Sequence, residues 1–356
     1  MIIYARSPYF VEINEAGQVG SKVELLIYNA PNSVPTTPTY TIAKSAASTT
    51  QRAGIYNISP FVREYIDNIV SSDSTNNRWC NVRVNKYKET SAGVYSLVRY
   101  DDYACVDGYT NYMGGYNQDE VFGRCAILAD DTKEIQYLYG NTHFIDVVSD
   151  ISLGDRLDVE YRSLNGNNAT TVNVLPSTTP TKKYMNKVNV TTTSPNYTNG
   201  NTITFKYYVG ATLSYSSTFR VVPICEPKYT PVVCSFINRF GGWQFLTFFK
   251  AQTNAINVTS TNYSLLPSSV NYNVYKGQNK AFNFNGNQSV ILNTGFVPEN
   301  YSDLIQDLLL SETVLLDNKP ATVKTQATDL KSSLKDNNIN YTIEFEYAYN
   351  LINNVI

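Results

Sequence analysis

A chain of 356 residues with a net charge of −2 and a pI near 5.6 is long enough for two or three domains with cores of their own. Its charge balance gives no electrostatic reason to expect nucleic acid or an anionic membrane as partner. Only 16% of residues are charged, while 29 are tyrosine and 40 are asparagine, so the surface is polar through amides, hydroxyls and phenols, which suits protein contacts. No run reaches the ~18 apolar residues of a membrane span. The start, MIIYARSPYFVEI, has no basic region leading into an apolar stretch, so no signal peptide is expected.

Alternation with period two dominates the chain. SKVELLIY sets Val23, Leu25 and Ile27 on one face. NISPFVREYIDNIV then reads as a helix over 59–70, with Ser59 as N-cap, Pro60 at the first helical position and a stripe of Phe61, Val62, Tyr65, Ile66 and Ile69. CNVRVNKY resumes the strand pattern, with Cys80, Val82 and Val84 against Asn81, Arg83 and Asn85. Farther on, RLDVEYR, NTITFKYYV and YTIEFEYAY alternate likewise. VPENYSDLIQDLLLS predicts a second helix near 299–310, with Tyr301, Leu304, Ile305 and Leu308 as its stripe and Glu299 and Asp303 at its positive end. ATDLKSSLKDN adds a weaker helical turn. The fold class is mainly β: two or three antiparallel sandwich- or barrel-like domains with a few short covering helices. Composition divides the chain into an N-terminal β domain over 1–155, Asn/Thr-rich strands and hairpins over 156–220, and a C-terminal β domain over 221–356.

The motifs that carry chemistry are sparse. His143 is the sole histidine, so neither a multi-histidine metal site nor a Ser/His/Asp triad with a GxSxG elbow is expected, and a strand-edge role is its default reading. Asp101, Asp102 and Asp107, and Asp130, Asp131 and Glu134, supply carboxylates, but any β protein offers such pairs; turn roles fit them better than glycoside hydrolysis. No phosphate loop and no calcium loop is present. No catalytic, metal or cofactor site is expected. Cys80, Cys105, Cys125, Cys225 and Cys234 are odd in number and widely spaced, which reads as buried thiols of a reducing compartment, with a Cys225–Cys234 disulfide as the minor alternative. Asn-x-Ser/Thr triplets at Asn168, Asn189, Asn196, Asn262 and Asn340 are what this composition yields by chance.

Two stretches are candidate interfaces. DGYTNYMGGYNQDEVFG sets Tyr109, Tyr112 and Tyr116 among amides and glycines, either a sugar platform or a loop closing a protein contact. CSFINRFGGWQFLTFFK reads as two strands around a turn at Gly241 and Gly242. Trp243, Phe245 and Phe249 fall on one face and Leu246 and Phe248 on the other. Such a strand is covered on both sides, by its own domain or by a partner. Phe240, Trp243, Phe245 and Phe249 are accordingly candidate interface residues.

FINRFGGWQFLTFFKA, with the preceding CEPKYTPVVCS, resembles a segment of virion structural proteins of large tailed bacteriophages, those of Bacteroides and its relatives, crAss-like phages included. ARSPYFVEINEAGQVGSKVELLIYN followed by NISPFVREYI is similar to their N-terminal module, and DLIQDLLLSETVLLDNKPATVKT with NYTIEFEYAYNLINNVI to their C-terminal one. The resemblance covers residues 1–70 and 221–356 and carries no catalytic residue. It implies a non-enzymatic neck, tail or tail-hub component. Such a protein is a homo-oligomer in a six- or twelve-fold ring, contacts other tail and neck proteins, and is assembled in the host bacterial cytoplasm. A surface receptor- or carbohydrate-binding module is the second expectation, and a glycan-degrading enzyme using Asp101 or Asp130 the third.

Overall fold

The computed structural model describes residues 2–29, 33–48, 50–69, 78–117, 125–130, 132–138, 140–141, 143–150, 155–164, 169–174, 183–190, 200–224, 228–266, 273–327 and 339–353. The expected helical turn over 328–337, most of the Asn/Thr-rich hairpin tips, Asp131 and Cys225 lie outside these residues.

The N-terminal strands are β1 (Ile2–Tyr4), β2 (Phe10–Ile13), β3 (Gly20–Tyr28), β4 (Tyr40–Ser45), β5 (Gly54–Asn57), β6 (Trp79–Ser91) and β7 (Val94–Val106), with helix α1 (Ser59–Ile69) between β5 and β6. They form a five-stranded sheet, β1-β7-β6-β3-β4, and a two-stranded ribbon, β2-β5. The alternating residues do what their spacing predicts. Val23, Leu25, Ile27, Cys80, Val82 and Val84 enter one core, closed over by Val11 and Ile13 of the ribbon and by Val62 and Ile66 of α1. The helix starts at Ser59, as expected, but Ser59 stands inside it, and its hydroxyl donates to the Ser7 carbonyl at 2.6 Å rather than capping the first turn. The hydroxyl therefore ties the helix to the N-terminal loop.

The middle strands are β8 (Cys125–Ile127), β9 (Glu134–Tyr137), β10 (Phe144–Asp150), β11 (Arg156–Ser163), β12 (Ala169–Asn173), β13 (Lys183–Asn189), β14 (Asn201–Val209) and β15 (Thr212–Pro223). Sheet β13-β10-β8 faces sheet β12-β11-β14-β15-β9. Ile145, Val147 and Val188 from the first meet Leu157, Val159, Ile203, Phe205 and Val221 from the second, a sandwich core. The sheets are not antiparallel throughout: β1 runs parallel to β7, and β9 parallel to β15.

The last part holds β16 (Val232–Ile237), β17 (Trp243–Phe248), β18 (Thr253–Ser264), β19 (Asn279–Val297), helix α2 (Tyr301–Leu309), β20 (Val314–Leu316), β21 (Lys319–Val323) and β22 (Ile339–Tyr347). Its seven strands run β17-β16-β20-β21-β22-β19-β18. The predicted stripe of α2, Tyr301, Leu304, Ile305 and Leu308, is fully buried against Cys234, Phe236, Leu292, Ile343 and Phe345. At about 1.5–3 kcal/mol for each large apolar side chain, this stripe fixes the helix to the sheet. Cys80, Cys105, Cys125 and Cys234 are buried thiols, and burial pushes Cys125 up to about 12, far from the thiolate form.

Candidate assembly interface

The turn at 238–243 is built by one side chain. Asn238 Oδ1 accepts from the N–H groups of Phe240 (3.0 Å) and Gly242 (3.1 Å), and its Nδ2 donates to the Leu128 carbonyl at 3.0 Å. Gly241 has φ +80°, which favours glycine. Gly242 is needed for another reason: a Cβ there would lie 2.4 Å from the Leu128 carbonyl oxygen. The turn is thereby pressed onto the middle sandwich. Its other flank meets the N-terminal part, where Tyr109 N donates to the Arg239 carbonyl at 2.8 Å.

Trp243 and Phe245 follow, and this chain covers both. Trp243 is 2% exposed and packs with Phe144, Ile237, Phe245 and Leu315, while Leu246 and Phe248 enter the core around α2. The two faces separate as the alternation predicts, and the cover comes from the chain itself. Phe240 is half-buried beside Leu128 and Val106, and Phe249 is half-buried under the Lys250 ammonium. Three parts of the chain thus meet at this turn, and of its four candidate residues none is exposed.

His143 belongs to the same junction. Its ring stacks on Phe245, centroids 4.8 Å apart, and stands edge-on to Tyr137. Burial lowers its pKa to about 4. Both ring nitrogens are buried without a hydrogen-bond partner. A cleft of about 660 Å³ opens beside it, lined by Phe144, Lys187, Asn189, Ser235 and Asp317 among others. Among the described residues no hydrogen bond joins a nucleophile to the imidazole. Among the described residues no three His, Cys, Asp or Glu side chains are placed to hold a metal.

Four of the expected carboxylates, Asp101, Asp102, Asp107 and Asp130, are held by cations or buried, and Glu134 is half-buried. Asp101 pairs with Lys86 at 2.7 Å, Asp102 binds Arg83 through two contacts of 2.8 Å, and Asp107 pairs with the buried Arg78 at 2.5 Å. Asp130 is buried and accepts from the Thr132 hydroxyl at 2.7 Å.

No protein-family model matches the chain, and no curated protein matches its sequence. The surfaces therefore have to be read from their own chemistry.

The tyrosine loop divides. Tyr109 is half-buried, under Arg6 (4.9 Å), with its hydroxyl 3.3 Å from Asp307 of α2. Tyr112 and Tyr116 are 93% and 69% exposed, in a loop shaped by Asn111, whose side chain accepts from Met113 N, and by Asn117, which bonds both backbone groups of Phe10. Tyr116 lies edge-on to Phe10, 5.6 Å away.

A further open surface is one that sequence reading missed. Every residue of β18 is exposed, and so are Asn279 and the run from Ala281 to Phe284 in its partner β19. The two strands form a hairpin arm that leaves the C-terminal sheet. Ile256 is 62% exposed, Val258 66%, Leu266 86% and Tyr275 95%, and Phe282 and Phe284 are about half exposed. The alternation of Ile256 and Val258 with asparagines signals a strand with an apolar face. It carries no signal of whether anything covers that face.

Among the described residues no helix is long and apolar enough to cross a membrane.

Proposed function

We propose that the protein is a non-enzymatic structural component of a tailed-phage particle, in the neck, tail or tail hub, where copies assemble into a symmetric ring and contact other particle proteins. The observation that carries this reading is the hairpin arm of β18 and β19: a two-stranded projection whose outer strand, β18, is uncharged, with apolar side chains on its faces. A monomer seldom exposes such a surface, which marks contact sites in soluble proteins. The tail assignment is supported by the resemblance of residues 1–70 and 221–356 to phage virion proteins. Buried thiols and carboxylates engaged by cations fit a protein assembled in bacterial cytoplasm and used for contact rather than turnover. Light scattering of the purified chain followed by negative-stain imaging tests the reading. Closed rings of six or twelve subunits are expected. A monomer at every concentration overturns the ring.

A second reading rests on Tyr112 and Tyr116, whose exposure suits a sugar platform at the particle surface. Glycan-array binding abolished by Y112A and Y116A would favour it; an inert array removes it.

A further inference from the structure

The arm ends its sheet in β18, and that edge has an unusual chemistry. An edge strand presents outward N–H and C=O groups along its length, and monomeric proteins block such edges with lysine, proline or a covering segment. The twelve residues of β18, TNAINVTSTNYS, hold no charge and no proline. No described strand lies beyond it.

The register fixes which way the arm's side chains point. Asn254 stands opposite Val290, Ile256 opposite Gln288 and Val258 opposite Gly286. Directly paired residues share a face, and Val290 enters the core around α2. Ile256 and Val258 therefore continue the core face outward, beyond the residues that α2 covers. Leu351 bonds to Gly286 there through its N–H, at 2.8 Å, and is itself 46% exposed.

We propose that β18 pairs antiparallel with β18 of a second copy of this chain, about a two-fold axis at Asn257. The proposal rests on the assembly reading above and names the partner of that surface. About this axis Ile256 of each copy stands opposite Val258 of the other, so four β-branched side chains form one apolar cluster on the core face. Asn257 meets Asn257 on the opposite face. A strand paired with itself sets like against like, which is destabilising for charges; β18 has none to oppose. Ile256 and Val258 are 62% and 66% exposed, apolar surface of the kind that marks a contact site, and the pairing covers both. Three or six such pairs, closed by a second contact, give rings of six or twelve.

The test uses the full chain. N257C places one thiol from each copy across the axis, within disulfide reach, whereas N254C lies three residues from the axis and its two thiols stand about 20 Å apart. Under mild oxidation N257C is expected to give a covalent dimer on a non-reducing gel, and N254C and the parent chain none. The double variant I256K/V258K, both sites being exposed, is expected to keep the parent's circular dichroism and to weaken association at least ten-fold by light scattering. Oligomers that form with no N257C dimer, or with an N254C dimer instead, overturn this pairing and leave the assembly reading standing. A chain that is monomeric throughout overturns both.

Discussion

Trp243 N–H donates to Asp146 Oδ2 at 2.8 Å, joining β17 to β10 across 97 residues of sequence. Asp146 is wholly buried, and burial raises its pKa to about 6 against the pull of the Trp243 N–H and of Lys187. Its other oxygen has no hydrogen-bond partner. An unfolded aspartate titrates near 3.9. The folded state thus holds a proton that the unfolded chain has already released. Asp146 favours folding fully below about pH 4, and that contribution fades as pH rises through about 6. A shift of this size is worth about 3 kcal/mol. D146N resembles the protonated form, so its stability relative to the parent should increase from pH 4 to pH 7 by about that amount. Urea unfolding at four or five pH values measures it, and a difference that stays flat refutes the titration of Asp146.

His143 works in the opposite sense. Its folded pKa is about 4, against about 6.5 for an exposed imidazole. The unfolded chain takes up a proton as pH falls from 6.5 towards 4 while the folded chain does not, so stability falls by about 3 kcal/mol over that window. H143F keeps an aromatic ring on Phe245 and removes the titration. Relative to the parent, H143F should gain stability as pH drops to 4, the mirror of the D146N trend. In the parent the two groups oppose each other between pH 4 and 6, so each variant exposes the slope of the other. Equal pH profiles for H143F and the parent would exclude His143 as the acid-sensitive group.

Gly242 tests the contact between turn and sandwich without changing backbone preference, since its φ lies outside the left-handed region. In G242A the new methyl meets the Leu128 carbonyl oxygen and the Leu128 Cβ, at 2.4 and 2.6 Å in the present geometry. Backbone on one side and a core residue on the other must move. Overpacking of this kind costs about 1–3 kcal/mol, read as a lower urea midpoint at unchanged slope. A midpoint equal to the parent's would mean that the turn can lift off Leu128 at no cost.

What the sequence displays here is local. Val23/Leu25/Ile27, Leu157/Val159/Tyr161 and Tyr341/Ile343/Phe345 show their buried faces by alternation, and the α2 stripe by its spacing of three and four, because each pattern lies within one element. The turn at Gly241 was legible for the same reason. What it packs against was not: Leu128 and Asp146 lie 110 and 97 residues from their partners in and beside the turn, and nothing in either segment names the other. Asp307 falls on the buried side of α2, where it accepts from Arg239 N at 3.3 Å, and neither its type nor the helical period announces that. The parallel pairing of β1 with β7 likewise depends on chain path rather than composition. The arm was missed on different grounds. Ile256 and Val258 alternate as buried strand residues do, and alternation assigns a face without saying whether anything lies over it.

Asn238 is the residue on which the junction should depend most sharply. It is fully buried and its side chain serves two N–H groups and one carbonyl, while its own N–H donates to the Gly242 carbonyl at 3.0 Å. In N238A the N–H groups of Phe240 and Gly242 and the carbonyl of Leu128 each lose an acceptor or donor, and at least the Gly242 and Leu128 groups lie where water has little access. A buried group left unsatisfied costs about 1–3 kcal/mol, so N238A should lose at least about 2 kcal/mol by urea unfolding. N238D keeps the two accepting bonds but turns a second oxygen towards the Leu128 carbonyl and the Gln244 Oε1 that the amide now faces at 3.2 Å. It should be destabilised too, and less so at low pH, where a protonated carboxyl can donate. An N238D variant as stable as the parent at neutral pH would remove the Asn238–Leu128 bond from the account of how the C-terminal part is held to the middle sandwich.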